Sequence, residues 1–212
     1  MFFKKFKYLL FFTFLLSQDV YYLDQIIKID GLFYKKSDQN LVSANIYLNI
    51  DNKDFFLGEI FEGEKIGKWV VLYSNGRKKS EHIFKSGMMN GPYTLWYKNG
   101  LRGEYGFFKN NEKDKLIIKW DEKGNKFSSV TFKEGFYHGE VIFYIPNGQI
   151  KYKGIYHEGK CIEGIKKSFR HKGKYPSPVY EVYENNELVQ LKWLDKEDKV
   201  IETTECINNN CI

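Results

Sequence analysis

The stretch LYSNG at residues 72–76 returns as WYKNG at 96–100, WDEKG at 120–124 and YIPNG at 144–148. The glycines that close these stretches, with one further downstream, are Gly76, Gly100, Gly124, Gly148 and Gly173, at steps of 24, 24, 24 and 25 residues. A second series, Gly63, Gly87, Gly135 and Gly159, keeps the same register, with Asn111 in its vacant slot. Asn tolerates positive φ better than most residues, so it can replace glycine there. A third series is Gly67, Gly91 and Gly139, with Lys115 in the vacant slot and Gly164 one residue late. Self-similarity at a fixed period of this size indicates an array of identical supersecondary units.

Each period holds two short runs rich in Val, Ile, Phe, Tyr and Trp, such as WVVLY and KKSEHIF. They are too short for helices and are bounded by turn residues. An Asn-Gly pair between β-formers signals a hairpin with a type I′ turn, whose two central residues need positive φ. The expectation is an all-β fold: an elongated antiparallel meander of hairpins, two strands per 24 residues. The segment KSGMMNG is read here as the second turn of its unit. Phe84, Phe108, Phe132 and Tyr156 recur at 24-residue steps and are expected to form an aromatic ladder. Gly106 and Gly154 leave room for rings to approach the backbone.

Alternation along the first strand of each unit gives two faces. Val70/Leu72, Thr94/Trp96, Ile118/Trp120 and Ile142/Tyr144 make one uninterrupted apolar face, which is assigned to the core. The other carries Trp69, Tyr73, Tyr93 and Tyr97 but is broken by Lys119 and Asp121. A single-layer sheet would leave this second face partly exposed. A contiguous exposed apolar patch marks an interaction site, so these four aromatics are the candidate binding residues. The competing reading is that the sheet curls, or a terminal segment covers them. Lys65, Lys68, Lys78 and Lys79 are read either as a surface for an acidic partner or lipid headgroups, or as a solvated edge guarded against aggregation.

The regular units run through 46–164, after a lead-in at 18–45; residues 165–212 read as degenerate repeats ending in a cap with a polar outer edge. Residues 1–17 carry Lys4, Lys5 and Lys7 before an apolar run that ends near Ser17. This is the pattern of a secretory signal, so the chain is expected to be exported to periplasm, envelope or medium; an uncleaved anchor is the alternative. Losing those lysines takes the net charge from +6 to +3, too little for a nucleic-acid footprint. Of the three cysteines, Cys206 and Cys211 either pair or remain ordinary thiols alongside Cys161.

No arrangement for catalysis, metal binding or a cofactor stands out. His82, His138, His157 and His171 lack metal-ligand spacing, and Glu62, Glu134 and Glu158 occupy repeat-equivalent turn positions. Groups that share one environment do not divide acid and base roles.

The segments GKWVVLYSNGRKKSEHIFKSG (67–87) and GPYTLWYKNGLRGEYGFFKNN (91–111) resemble the MORN-repeat variant of bacterial YwqK-family proteins, commonly labelled antitoxins. The resemblance implies an elongated β-hairpin sheet, no catalysis, and binding to a protein partner, with a toxin as the class the label suggests. MORN repeats more widely imply membrane lipid as the alternative partner.

Overall fold

The computed structural model describes residues 19–172, 175–185, 187–195, 197, 199–207 and 210–211. The expected signal segment and the turn expected at Gly173 lie outside them. The lead-in comprises β1 (Asp19–Tyr22), β2 (Ile26–Ile29) and β3 (Leu32–Lys35), followed by β4 (Ala44–Ile50) and β5 (Lys53–Phe61). The regular array is β6 (Glu64–Leu72), β7 (Lys78–Lys85), β8 (Met88–Trp96), β9 (Arg102–Lys109), β10 (Glu112–Trp120), β11 (Lys126–Lys133), β12 (Phe136–Tyr144) and β13 (Ile150–His157). The remainder is β14 (Lys160–Lys172), β15 (Tyr175–Glu184), β16 (Glu187–Leu194), β17 (Val200–Ile207) and β18 (Asn210–Cys211). From β4 onward every strand pairs with its successor in one open 16-stranded sheet, with β1 parallel on β4 and β2–β3 as a separate hairpin. The expected antiparallel meander is therefore the fold. Among the described residues, no helix is long and apolar enough to cross a membrane.

The two turn series differ in kind, and the type I′ turn is not at Asn-Gly. Asn75, Asn99 and Asn147 do not take positive φ; only the following Gly76, Gly100 and Gly148 do. Tyr73 N–H bonds to Arg77 C=O at 2.8 Å and Gly76 N–H to Tyr73 C=O at 2.9 Å. This is the three-residue loop in which a glycine in the left-handed region closes a turn. Each asparagine accepts instead: Asn75 Oδ1 from Arg77 N–H at 3.1 Å, and Asn99 Oδ1 from Leu101 N–H at 2.9 Å. Positive φ at two successive residues occurs in the second series, at Glu62-Gly63, Ser86-Gly87, Asn110-Asn111, Glu134-Gly135 and Glu158-Gly159. Asn111, at φ 70°, fills the glycine slot.

The second turn is thus only two residues, and Met88–Gly91 belongs to β8. The third series marks β-bulges. Gly91, Gly139 and Lys115 (φ 62°) all take positive φ beside a break in register with the preceding or following strand. A recurrent bulge bends and twists the strand that carries it.

The most deeply buried row lies on the face with polar interruptions, which corrects the face assigned to the core. Trp69, Tyr93, Ile117 and Val141 stand at 24-residue steps and are 4%, 3%, 0% and 0% exposed. Fully burying a side chain of this kind contributes about 1.5–3 kcal/mol. On the opposite assignment Val70 is only half-buried while Ile142 is 8% exposed; Trp96, Trp120 and Tyr144 are half-buried and stand at breaks in register after Leu95, Lys119 and Phe143. At the N-terminal end, Ile26 and Val42 pack with Ile46, Leu57 and Ile60 around Trp69. Val179, Leu188, Leu191, Trp193 and Cys206 form a second cluster near the C-terminus.

The aromatic ladder is indirect. Its rings are two strands apart, roughly 9.5 Å, beyond ring contact. Tyr93 on the intervening strand touches Phe108 at 4.6 Å between centroids, and Tyr137 links Phe132 to Tyr156 at 5.1 and 5.4 Å. A Cβ on Gly106 would meet Ile117 Cγ1 at 2.7 Å and Tyr93 Cε1 at 3.0 Å, the close approach its glycine permits. Toward the C-terminal end, β17 exposes Val200 and Ile201 together with Glu202, Thr203 and Glu205.

Candidate functional site

The four candidate aromatics separate into two pairs. Trp69 and Tyr93 are core residues. Trp69 Nε1 donates to Glu59 C=O at 2.9 Å, and its ring lies over Gly58, where an added Cβ would sit 2.5 Å from Cδ2. The Tyr93 hydroxyl donates to Glu104, and burial, reinforced by that carboxylate, pushes the phenol well above its ordinary pKa. Tyr73 and Tyr97 are half-buried and also have structural work. Their hydroxyls donate 2.7 Å bonds to the carbonyls of Trp96 and Trp120, each one unit further along. Both nevertheless line a surface groove, and their rings form part of its wall.

The groove is assembled from repeat-equivalent positions. A cavity of about 630 Å³ is lined by Tyr73 and Tyr97, by Trp96 and Trp120, and by Lys79 and Gly103 beside the floor residues Ser80, Leu95, Glu104 and Lys119. A second cavity of about 440 Å³ adjoins it, with Asp121 and Phe127 common to both. Its lining continues the same rows with Ile145, Tyr144, Lys151, Phe143, Tyr152 and Lys166, and adds Lys126. The floor follows cross-strand register: Ser80 faces Leu95, Leu95 faces Glu104, Glu104 faces Lys119, and Phe143 faces Tyr152. The groove therefore crosses the strands and advances two strands per unit. At Gly103 the missing side chain makes room for the Tyr97 ring, which an added Cβ would approach to 3.0 Å.

Two carboxylates line it, and both are already engaged. Glu104 is mostly buried, takes a 2.8 Å hydrogen bond from Lys113 Nζ, and lies 3.2 Å from Lys119 Nζ. Burial alone would raise its pKa, but the bonds from Lys113 and Tyr93 and the two ammonium charges hold it below the usual carboxylate value. Asp121 occupies the slot of Tyr73 and Tyr97. Its carboxylate accepts from the Asn125 side chain and from the backbone N–H groups of Lys123 and Asn125. Glu104 was not singled out from the sequence. The signal available is Lys119: a lysine on the face that also carries an apolar row favours an anion beside it, and its register partner is Glu104.

Basic residues also stack on the half-buried aromatics at the repeat period. Lys78 lies over Trp96 at 5.7 Å, Arg102 over Trp120 at 5.6 Å and Lys126 over Tyr144 at 5.0 Å. The lysines around the first unit lie on β6 and β7, inside the sheet, so they do not guard an edge. Lys68 and Lys78 pair with Glu81, while Lys65 is held against Phe33, Trp69 and Phe84 and its pKa is lowered by burial.

Among the described residues, no three His, Cys, Asp or Glu side chains are grouped as metal ligands. Cys206 is disulfide-bonded and stands opposite Cys211 in the β17–β18 register, whereas Cys161 is a free, buried thiol. No protein-family model matches the chain, and no curated protein matches it.

Proposed function

We propose that this chain is a non-catalytic, exported repeat protein that binds another protein through the groove crossing β7 to β14. The observation that carries the proposal is the construction of that groove: positions 73/97/121/145, 96/120/144 and 79/103/127/151 line it at successive units. A repeat array generates extended binding surfaces of this kind. Export is supported by the basic-then-apolar start of the sequence and by the disulfide at Cys206, since disulfides persist in oxidising compartments. The resemblance to YwqK-type MORN repeats agrees with a binding role and suggests a toxin as one class of partner.

Photo-crosslinking in the cells that make the protein tests this. A photoreactive phenylalanine replaces Phe127, 53% exposed in the groove, or Phe136, 62% exposed and outside it. The expected result is a defined protein adduct from position 127 and none from 136. Adducts from 136 alone, from both positions equally, or from neither would overturn the proposal.

A further inference from the structure

The chemical character of the partner follows from the period and charge of the groove, and this step rests on the groove being the binding site. Equivalent wall residues are two strands apart, about 9.4–9.8 Å from the spacing of paired strands. A polyproline II helix rises about 3.1 Å per residue with three residues per turn, so its own repeat is about 9.3 Å. One turn of such a peptide therefore fits one unit. Lys79 and Lys151, three units apart, are spanned by about nine residues. The walls supply Tyr73, Trp96, Tyr97, Trp120, Phe127 and Tyr144. Aromatic-lined grooves are the surfaces on which polyproline II segments dock. The floor strands are paired on both sides, so they offer no free backbone edge for an added β-strand. A polyproline II segment needs no ladder of backbone hydrogen bonds.

Charge selects among such peptides. The groove is lined by Lys79, Lys119, Lys126, Lys151 and Lys166 against Glu104 and Asp121. Lys119 is paired with Glu104, and Lys166 lies 3.3 Å from Glu181. Lys79, Lys126 and Lys151 have no carboxylate partner among the described residues. The surplus cations thus lie at one end and across the second half of the groove, while Asp121 stands between them. A nucleic-acid strand carries a charge about every 3.4 Å, far denser than one cation per unit.

We propose that the groove takes an extended, acidic, proline-rich segment of a protein, in the polyproline II conformation and lying across the strands with one turn per repeat unit. Its carboxylates meet Lys79 at one end and Lys126 and Lys151 at the other.

Fluorescence anisotropy with the labelled peptide (Glu-Pro-Pro)4 tests this on the purified full chain. Three comparison probes are (Lys-Pro-Pro)4, the flexible but equally charged (Glu-Gly-Ser)4, and the same acidic peptide in competition with a single-stranded oligonucleotide or anionic vesicles. Saturable binding of (Glu-Pro-Pro)4 is expected, at least about tenfold tighter than either other peptide. It should weaken about tenfold again in Lys126→Glu/Lys151→Glu, whose fold is checked by circular dichroism. Equal binding of (Glu-Gly-Ser)4 overturns the conformation, equal binding of (Lys-Pro-Pro)4 overturns the charge assignment, and binding of none overturns the inference as a whole. Displacement by the oligonucleotide or the vesicles at equal charge overturns the peptide as occupant. A groove crosslink from Phe127 with no affinity for any of these peptides would leave the binding role standing and remove this inference alone.

Discussion

Gly106 offers a quantitative test of the enclosed core row. Its added Cβ in Gly106→Ala would sit 2.7 Å from Ile117 Cγ1 and 3.0 Å from Tyr93 Cε1. Ile117 is fully buried and Tyr93 nearly so, so neither neighbour moves freely. Overpacking of this kind costs about 1–3 kcal/mol. Restricting the unfolded chain by replacing glycine returns about 0.4–1 kcal/mol. The net expectation is a loss of about 1–2 kcal/mol. Ile117→Ala removes the nearest clashing atom and by itself costs about 2–5 kcal/mol through the cavity it leaves. In the double variant the new methyl occupies part of that cavity, so the loss falls below the sum of the two by at least about 0.5 kcal/mol. Urea denaturation measures the totals. Hydrogen exchange in β8 to β10 then locates the loss, because repeat arrays open locally. Unchanged or increased stability in Gly106→Ala, or strict additivity in the double variant, would refute the packing argument.

Three further outcomes follow from the same structure. Tyr97→Phe removes the hydroxyl bonded to the Trp120 carbonyl and should cost about 1 kcal/mol by denaturant titration, with Tyr73→Phe nearly equal because it is repeat-equivalent. His82 stacks on Tyr93 at 5.6 Å between Phe84 and Phe108, and burial, followed by the charge of Lys65, lowers its pKa from 6.5. The fold therefore favours the neutral ring. Its contribution is complete above pH 6.5 and lost as pH falls from there towards the folded value, a slope that His82→Phe should flatten in thermal melts. Cys206→Ser opens the disulfide and should destabilise the C-terminal end by about 2 kcal/mol, given the short loop it closes; exchange protection in β16 and β17 reads this out, and undiminished protection would contradict it.

The repeat and its turns were legible because positive φ is a demand few residues meet. Asn111 and Lys115 were located from their register alone, and both take positive φ. The type of turn was not legible. A two-residue connection forces Glu62, Glu134 and Glu158 into the left-handed region, while Asn75 and Asn99 serve as hydrogen-bond acceptors. The face of the core is hidden for a related reason. In this chain both faces of the first strands are apolar, and polar interruptions do not tell them apart. Lys119 points to solvent, and its side chain is 41% exposed, yet it stands on the strand and face that carry buried Ile117, with its ammonium 3.2 Å from Glu104. The groove depends on which positions converge across four units, and no single unit displays it.

The central claim is that the groove, and not the rest of the sheet, holds a protein partner. Affinity capture from the cells that make the protein tests it most directly, comparing the native chain with Lys126→Glu/Lys151→Glu by quantitative mass spectrometry. The account predicts a protein retained by the native chain and depleted at least about tenfold by the variant at matched stability. Retention of the same proteins at the same level by both would contradict it.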